Sequence, residues 1–279
     1  MHRAGDQLTH YRLVERLGET HREIWQAVDT RDDSAVALKV LPHLADAAAR
    51  EKLTRDAEAL ASIAHPAIVP PAAIDHVDGL YFVCTAPLAG TSLAERVPRG
   101  GLEPAHTLRL ALLLADTFRA AHDAGVTHRE LGPGRIFAIS SDDLRIHDFG
   151  LSDTAEGGED PSLDPDDTPT LTLTREGARR NLAYLAPEQI KNHSLDRSTD
   201  IYSLGTVLYW ISTGVHPFRG DSPADLCVAV LRDIPRPVNQ LKHDVPEGFG
   251  PIVARCLEKD RAQRYGSAAE LHQDLARLV

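Results

Sequence analysis

Apolar and polar positions alternate over short stretches in the first third of the chain. Over most of the remainder they recur at helical spacing. Leu13 to Ala27 reads as two strands joined by a turn, and Val36–Val40 as an apolar strand carrying one charged residue, Lys39. Ala45 to Ala64, rich in Ala, Leu, Arg and Glu, is predicted to be a helix. Tyr81–Cys84 is a further strand, from which Thr85–Gly90 runs into a polar turn. Pro104 to Ala124 is a strongly apolar helix, expected to be the buried central helix of the second half. Its His106 and His122 are expected at the solvent side or the caps. Two apolar runs, Ile136–Ile139 and Leu144–Ile146, flank the polar turn Ser140–Asp143 as in a tight hairpin. From Tyr184 onward helices alternate with polar turns.

One stretch breaks the pattern. Asp153–Asp167 holds seven acids, no Lys or Arg, the pair Gly157-Gly158 and two prolines, and a threonine-rich run follows it. Low hydrophobicity and like charge predict a mobile segment there.

Composition narrows the classes. The 279 residues suit one large two-lobed domain, and 42% hydrophobic with 25% charged residues is ordinary for a globular chain. A formal net charge of −11 argues against a nucleic-acid partner. Cys84, Cys227 and Cys256 are scattered and form no C-x-x-C pair, which points to a reduced, cytoplasmic chain without a zinc site. The polar N-terminus has no signal-peptide core. No apolar run approaches the ~20 residues that span a bilayer.

The candidate chemistry lies between Thr127 and Gly150. His128-Arg129-Glu130 precedes the hairpin and Asp148-Phe149-Gly150 follows it; Ala186-Pro187-Glu188 and Asp200-Ile201-Tyr202-Ser203-Leu204-Gly205 come later. This series resembles the protein kinases, in particular the bacterial, eukaryotic-like serine/threonine branch, with H-R-D-x-x-x-x-N, D-F-G and A-P-E in frame. The resemblance implies an α+β, bilobal fold: a small β-rich N-lobe with one main helix over 1–89, and a larger, mainly helical C-lobe over 90–279. Residues 148–188 would then form an acidic activation segment.

The same resemblance assigns roles. Lys39 would reach the nucleotide phosphates, with Asp56 as its partner on the helix. Gly18 is what remains of a glycine-rich phosphate loop. Ile24 and Ala37 would roof the adenine pocket, Thr85 would guard its back, and Ala86 to Leu88 would form the lobe hinge. Phe137 stands where an aliphatic residue lies under the adenine; its ring either partly fills that space or turns into the large-lobe core. Asp148 would be the metal ligand. Arg129 would hold a phosphothreonine, with Thr168, Thr170, Thr172 and Thr174 as the places for one; alternatively the acidic run supplies that charge, or is a plain linker. His128, Phe149, Asp200 and the pair Glu188–Arg264 would be structural or regulatory.

Departures from the family pattern fall on the chemistry. Glu130 stands in place of the catalytic Asp, Arg135 in place of the metal-binding Asn, and Gly132 in place of a Lys that meets the transferred phosphate. Asn181 replaces a Thr that contacts the catalytic pair. A guanidinium repels Mg²⁺ rather than binding it. These changes imply a pseudokinase that binds ATP weakly if at all, with Mg²⁺ disfavoured. Its partner would be a protein or a linked domain. The alternative is an atypical serine/threonine kinase of low activity. Nucleotidyl transfer has no positive sequence support.

Overall fold

The computed structural model describes residues 2–17, 24–41, 47–87, 89–140, 143–149 and 182–279. The first lobe is an antiparallel sheet of β1 (Gln7–Leu8), β2 (Tyr11–Arg16), β3 (Ile24–Asp29), β4 (Ser34–Leu41), β5 (Pro71–Val77) and β6 (Leu80–Thr85). The strands lie in the order β1-β2-β3-β4-β6-β5. Side chains alternate across it. Leu13, Trp25, Ala27, Leu38, Val40 and Phe82 bury together on one face with Tyr11. Lys39 therefore points to the other face, which it shares with Leu41 and Val83. Helix α1 (Ala47–Ala61) lies over that second face and contributes Leu53 to its small cluster.

A second, three-stranded sheet joins the lobes. It consists of β7 (Thr91–Ser92), β8 (Ile136–Ala138) and β9 (Leu144–Ile146), with the short α2 (Leu93–Arg96) after β7. Ile136 pairs with Ile146 and Phe137 with Arg145, which is the hairpin that the apolar spacing predicts. Ile146 also bridges in parallel to Ile68, its amide donating to Ala67 O at 2.7 Å. The hairpin thus carries its end, and Asp148 with it, up against the first lobe.

The second lobe is built on α3 (Pro104–Asp123). Pro104 opens this helix, and the Glu103 carboxylate caps it by accepting from the amides of Ala105 and His106, each at 3.1 Å. After α3 come α4 (Pro187–Ile190), α5 (Arg197–Thr213), α6 (Pro223–Arg232), α7 (Val238–Leu241), α8 (Phe249–Cys256) and α9 (Ala268–Ala276). The helix buried on all sides is α5, not α3: every residue from Thr199 to Thr213 is buried, while Arg109 of α3 faces water. Hydroxyls make this possible. Thr206 Oγ1 donates to Tyr202 O, and Ser212 Oγ and Thr213 Oγ1 to Tyr209 O, so polar side chains bury without orphaned groups. Among the described residues no helix is long and apolar enough to cross a membrane.

Candidate functional site

The site hangs from Asp200, a fully buried carboxylate near the start of α5. It accepts from the amides of His128 at 2.8 Å and Arg129 at 2.7 Å, and from His122 Nε2 at 2.8 Å. His122 is thus a buried anchor of this loop, its side chain 5% exposed, and not the solvent-side residue expected from helical position. Gln189 Nε2 donates to Arg129 O at 2.7 Å and ties the loop to α4. Arg129 has φ +67° and Asp148 φ +72°, in the left-handed region that costs a non-glycine residue energy. The surrounding hydrogen bonds and packing hold both. The His128 ring lies 4.9 Å from Phe149 and 5.9 Å from Phe118, an apolar column that joins loop, hairpin end and α3. Burial pushes the His128 pKa down, so this imidazole is held neutral.

Four charged groups meet in front of that column. Lys39 Nζ is 3.3 Å from Asp148 Oδ1, and Arg135 Nη1 is 2.7 Å from Asp148 Oδ2. Arg135 Nη2 lies 4.0 Å from Glu130 Oε2. Backbone pairing sets this geometry: Arg135 closes a 3-10 turn at Pro133–Arg135, and its carbonyl accepts from the His147 amide at 3.0 Å. Burial alone raises the Asp148 pKa, but Lys39 and Arg135 outweigh it and hold the carboxyl below the usual range. Both partners are deeply buried, Lys39 at 3% and Asp148 at 7% exposure, so solvent screens the pair little.

Asp56 is placed elsewhere. It takes Lys52, one turn back on α1, at 2.5 Å. The shorter Asp side chain meets its own helix neighbour, as i,i+4 geometry favours.

Around the cleft, Ile24 pairs with Lys39 across β3 and β4, and Ala37 with Thr85 across β4 and β6. Thr85 Oγ1 donates to Ala86 O at 3.2 Å. Phe137 is half-buried and belongs to neither lobe's apolar core; its edge meets His147, with ring centroids 5.2 Å apart. Gly132 is extended, and a Cβ there would sit 3.6 Å from the Tyr184 ring, ordinary contact distance. Farther off, Arg264 grips Glu188 with two bonds of 2.8 and 2.9 Å, both side chains buried, and Thr199 Oγ1 donates to the same carboxylate at 2.9 Å. Gly18, Leu88, Asn181, the acidic stretch and Thr168, Thr170, Thr172 and Thr174 lie outside the described residues. Sequence reading passed over Gln189 and His147; the place of His147 directly before Asp148 was the available signal.

A curled sheet lobe over a helical lobe, with Lys39 and Asp148 facing each other across the cleft, defines the protein kinases. The chain belongs to the protein kinase domain family, whose model matches residues 11–275. It is similar to the serine/threonine-protein kinase PknD of Mycobacterium tuberculosis, with 34% identity over 96% of this chain and 39% of that protein. It is also similar to PknE of the same species, with 29% identity over 96% of this chain and 46% of PknE. The chain thus spans less than half the length of these relatives. Two solved structures share the fold. One is the PknI kinase domain of M. tuberculosis, at TM-score 0.69 and 21% identity over 100% of both chains. The other is Rad53 in complex with AMP-PNP, at TM-score 0.71 and 22% identity over 94% of this chain and 64% of that one.

Proposed function

We propose that the chain is a pseudokinase: a kinase-fold regulatory domain in which phosphoryl transfer is absent or very slow, and which holds a protein partner or biases a linked domain. The observation that carries this reading is the Arg135 guanidinium, 2.7 Å from Asp148. Phosphoryl transfer depends on metal ions that bridge the phosphates and neutralise the developing charge. Asp148 already meets two cations, and one of them keeps its charge at any usable pH. This donor set does not fit Mg²⁺.

Glu130 adds to the impairment. Its carboxylate is one bond farther out than an aspartate's, and a displacement near ~1 Å costs on the order of 100-fold in rate. It also leans toward Arg135 rather than standing free. Gly132 withdraws a positive contact from the phosphate. Lys39 remains in place for a nucleotide bound without metal.

A second reading, a serine/threonine kinase of low activity, is favoured by the assembled His128–Phe149 column and by the named activity of PknD and PknE. One experiment separates the two: transfer of labelled phosphate from ATP by the native chain and by the Glu130→Asp, Gly132→Lys, Arg135→Asn triple variant, with Mg²⁺ or Mn²⁺. The pseudokinase reading expects background transfer in the native chain and a gain in the triple variant. Native transfer that Lys39→Ala abolishes overturns it.

A further inference from the structure

We infer that a charged His10 is the clasp that closes the small-lobe sheet on itself, holding Asp29 of β3 and Asp75 of β5 at one seam, and that this seam loosens when the imidazole gives up its proton. None of these residues belongs to the Lys39–Asp148 cluster.

The strand order places β1 and β5 at opposite edges of the six-stranded sheet. Side chains from the two edges nevertheless meet. Thr9, in the turn between β1 and β2, donates from Oγ1 to Asp75 Oδ2 at 3.2 Å. The sheet therefore curls until its edges are bridged. The turn is fixed in this place by its backbone. Thr9 has φ +51°, a left-handed conformation that a β-branched residue adopts only at a cost. Gln7 Nε2 donates to Thr9 O at 3.0 Å, and the amide and hydroxyl of Thr30 both donate to His10 O, at 2.9 and 2.8 Å. On β5 the Asp75 carboxylate is held by the His76 amide, which donates to its Oδ1 at 2.8 Å.

Counting protons at the seam gives the state of the ring. Thr9 has one hydroxyl proton and gives it to Asp75, so its oxygen is left to accept from His10 Nδ1, 3.4 Å away. Nδ1 therefore carries a hydrogen. With that hydrogen alone, the ring would turn the lone pair of Nε2 toward Asp29 Oδ2 at 3.7 Å, and Nε2 is a buried atom with no hydrogen-bond partner. A lone pair facing a carboxylate is repelled, whereas a second hydrogen turns the same approach into an ion pair. The imidazolium answers both carboxylates at once, Asp29 at 3.7 Å and Asp75 at 4.0 Å. Asp29 also has Arg31, whose Nη2 is 2.6 Å away. Among the described residues, His10 is the one cation in ion-pair range of Asp75. Tyr11 packs on the ring with centroids 4.0 Å apart and brings no charge, since burial pushes its phenol pKa up.

A base that gains partners on folding contributes stability at low pH and loses it as the pH rises. That sign is opposite to the effect of the histidines that burial holds neutral, His147 and His216. Asp75 and His76 also line the groove between β5 and α1. The seam thus steadies the strand beside which α1 lies.

The test is amide hydrogen exchange of the purified chain at about pH 6.5 and 8, corrected for the intrinsic pH dependence of exchange, and read over residues 7–13 and Pro71–Val77. Protection of both stretches should be about two- to fivefold lower at the higher pH, the worth of a partly screened ion pair. Asp75→Asn and His10→Gln should each remove that difference and show the lower protection at both pH values. Melting temperatures of the two variants show that the fold is kept. Equal protection of the native chain at the two pH values overturns the clasp, and so does a difference that persists in either variant.

Discussion

Arg135 and Lys39 hold the two oxygens of one carboxylate, Asp148, from opposite lobes, at 2.7 and 3.3 Å. The contact is internal to the protein and joins β4 of the sheet lobe to the turn before β8. In this chain the cleft is drawn together by its own side chains.

Removing one of the two cations should therefore weaken the fold and not only the site. Arg135→Met keeps the side-chain bulk and leaves Asp148 with Lys39 alone. The expected loss is about 1–3 kcal/mol, less than for a carboxylate stripped of every partner. Urea unfolding of native and variant chains measures it. Equal midpoints would mean that the pair contributes nothing in solution.

Acid should destabilise the protein before its carboxylates titrate. Burial holds the His147 pKa at about 4, against an ordinary value of 6.5, with the Asp148 charge opposing it only in part. Burial lowers the pKa of His128 and His216 as well. A base whose folded pKa is depressed contributes stability above its unfolded pKa and loses it as pH falls below that value. The window for His147 thus runs from pH 6.5 down to about 4. Each such histidine steepens the loss by up to about 1.4 kcal/mol per pH unit. Asp148, with its pKa depressed, is silent in this window, since its contribution is lost only below the ordinary carboxylate range. Unfolding free energies measured at about pH 7.5, 6 and 5 should fall steadily, and His147→Gln should flatten the slope by about one such increment. A variant slope identical to the native one would rule out His147 as a contributor.

The Glu188–Arg264 pair supports the large lobe. Arg264 donates to both oxygens of Glu188 and also to the carbonyls of Ser198 and Glu258, so its whole guanidinium is engaged. Glu188→Ala leaves that cation buried without a counter-charge. The expected cost is about 3–5 kcal/mol. Chemical denaturation should show it as a lower midpoint. A loss under about 1 kcal/mol would place the pair with exposed surface pairs in its worth.

Lys39 and Asp148 were legible through the resemblance of Val36–Lys39 and of Asp148-Phe149-Gly150 to the kinase motifs; an apolar strand alone would have left Lys39 as a snorkelling side chain. Other features were not. The run of leucines in α3 drew attention as a central helix, yet α5 holds that place; its Thr, Ser and Tyr side chains read as polar until their back-bonds to the helix are seen. The contact of His122 with Asp200 spans 78 positions, and no local spacing announces it. Asp56 is the plainest case. Its place on α1 follows from residue counting, but the choice between Lys39 and Lys52 depends on how closely the helix approaches the sheet, a tertiary distance.

Gly205 tests the packing of α5 directly. Its backbone is ordinary helix, so the glycine is not needed for conformation; it is needed for closeness. A Cβ there would stand 2.5 Å from the Cβ of Cys256 on α8 and 3.3 Å from the Leu257 side chain. Gly205→Ala therefore forces the two helices apart, which costs about 1–3 kcal/mol, offset by roughly 1 kcal/mol of better helix propensity. A net loss of up to about 2 kcal/mol is expected. Cys256→Gly removes the Cβ on the other side and is itself destabilising. Combined, the two changes exchange which helix carries the Cβ, so the double variant should be more stable than the sum of the singles by at least about 0.5 kcal/mol. Strict additivity in that cycle would show that the helices are not in contact at Gly205.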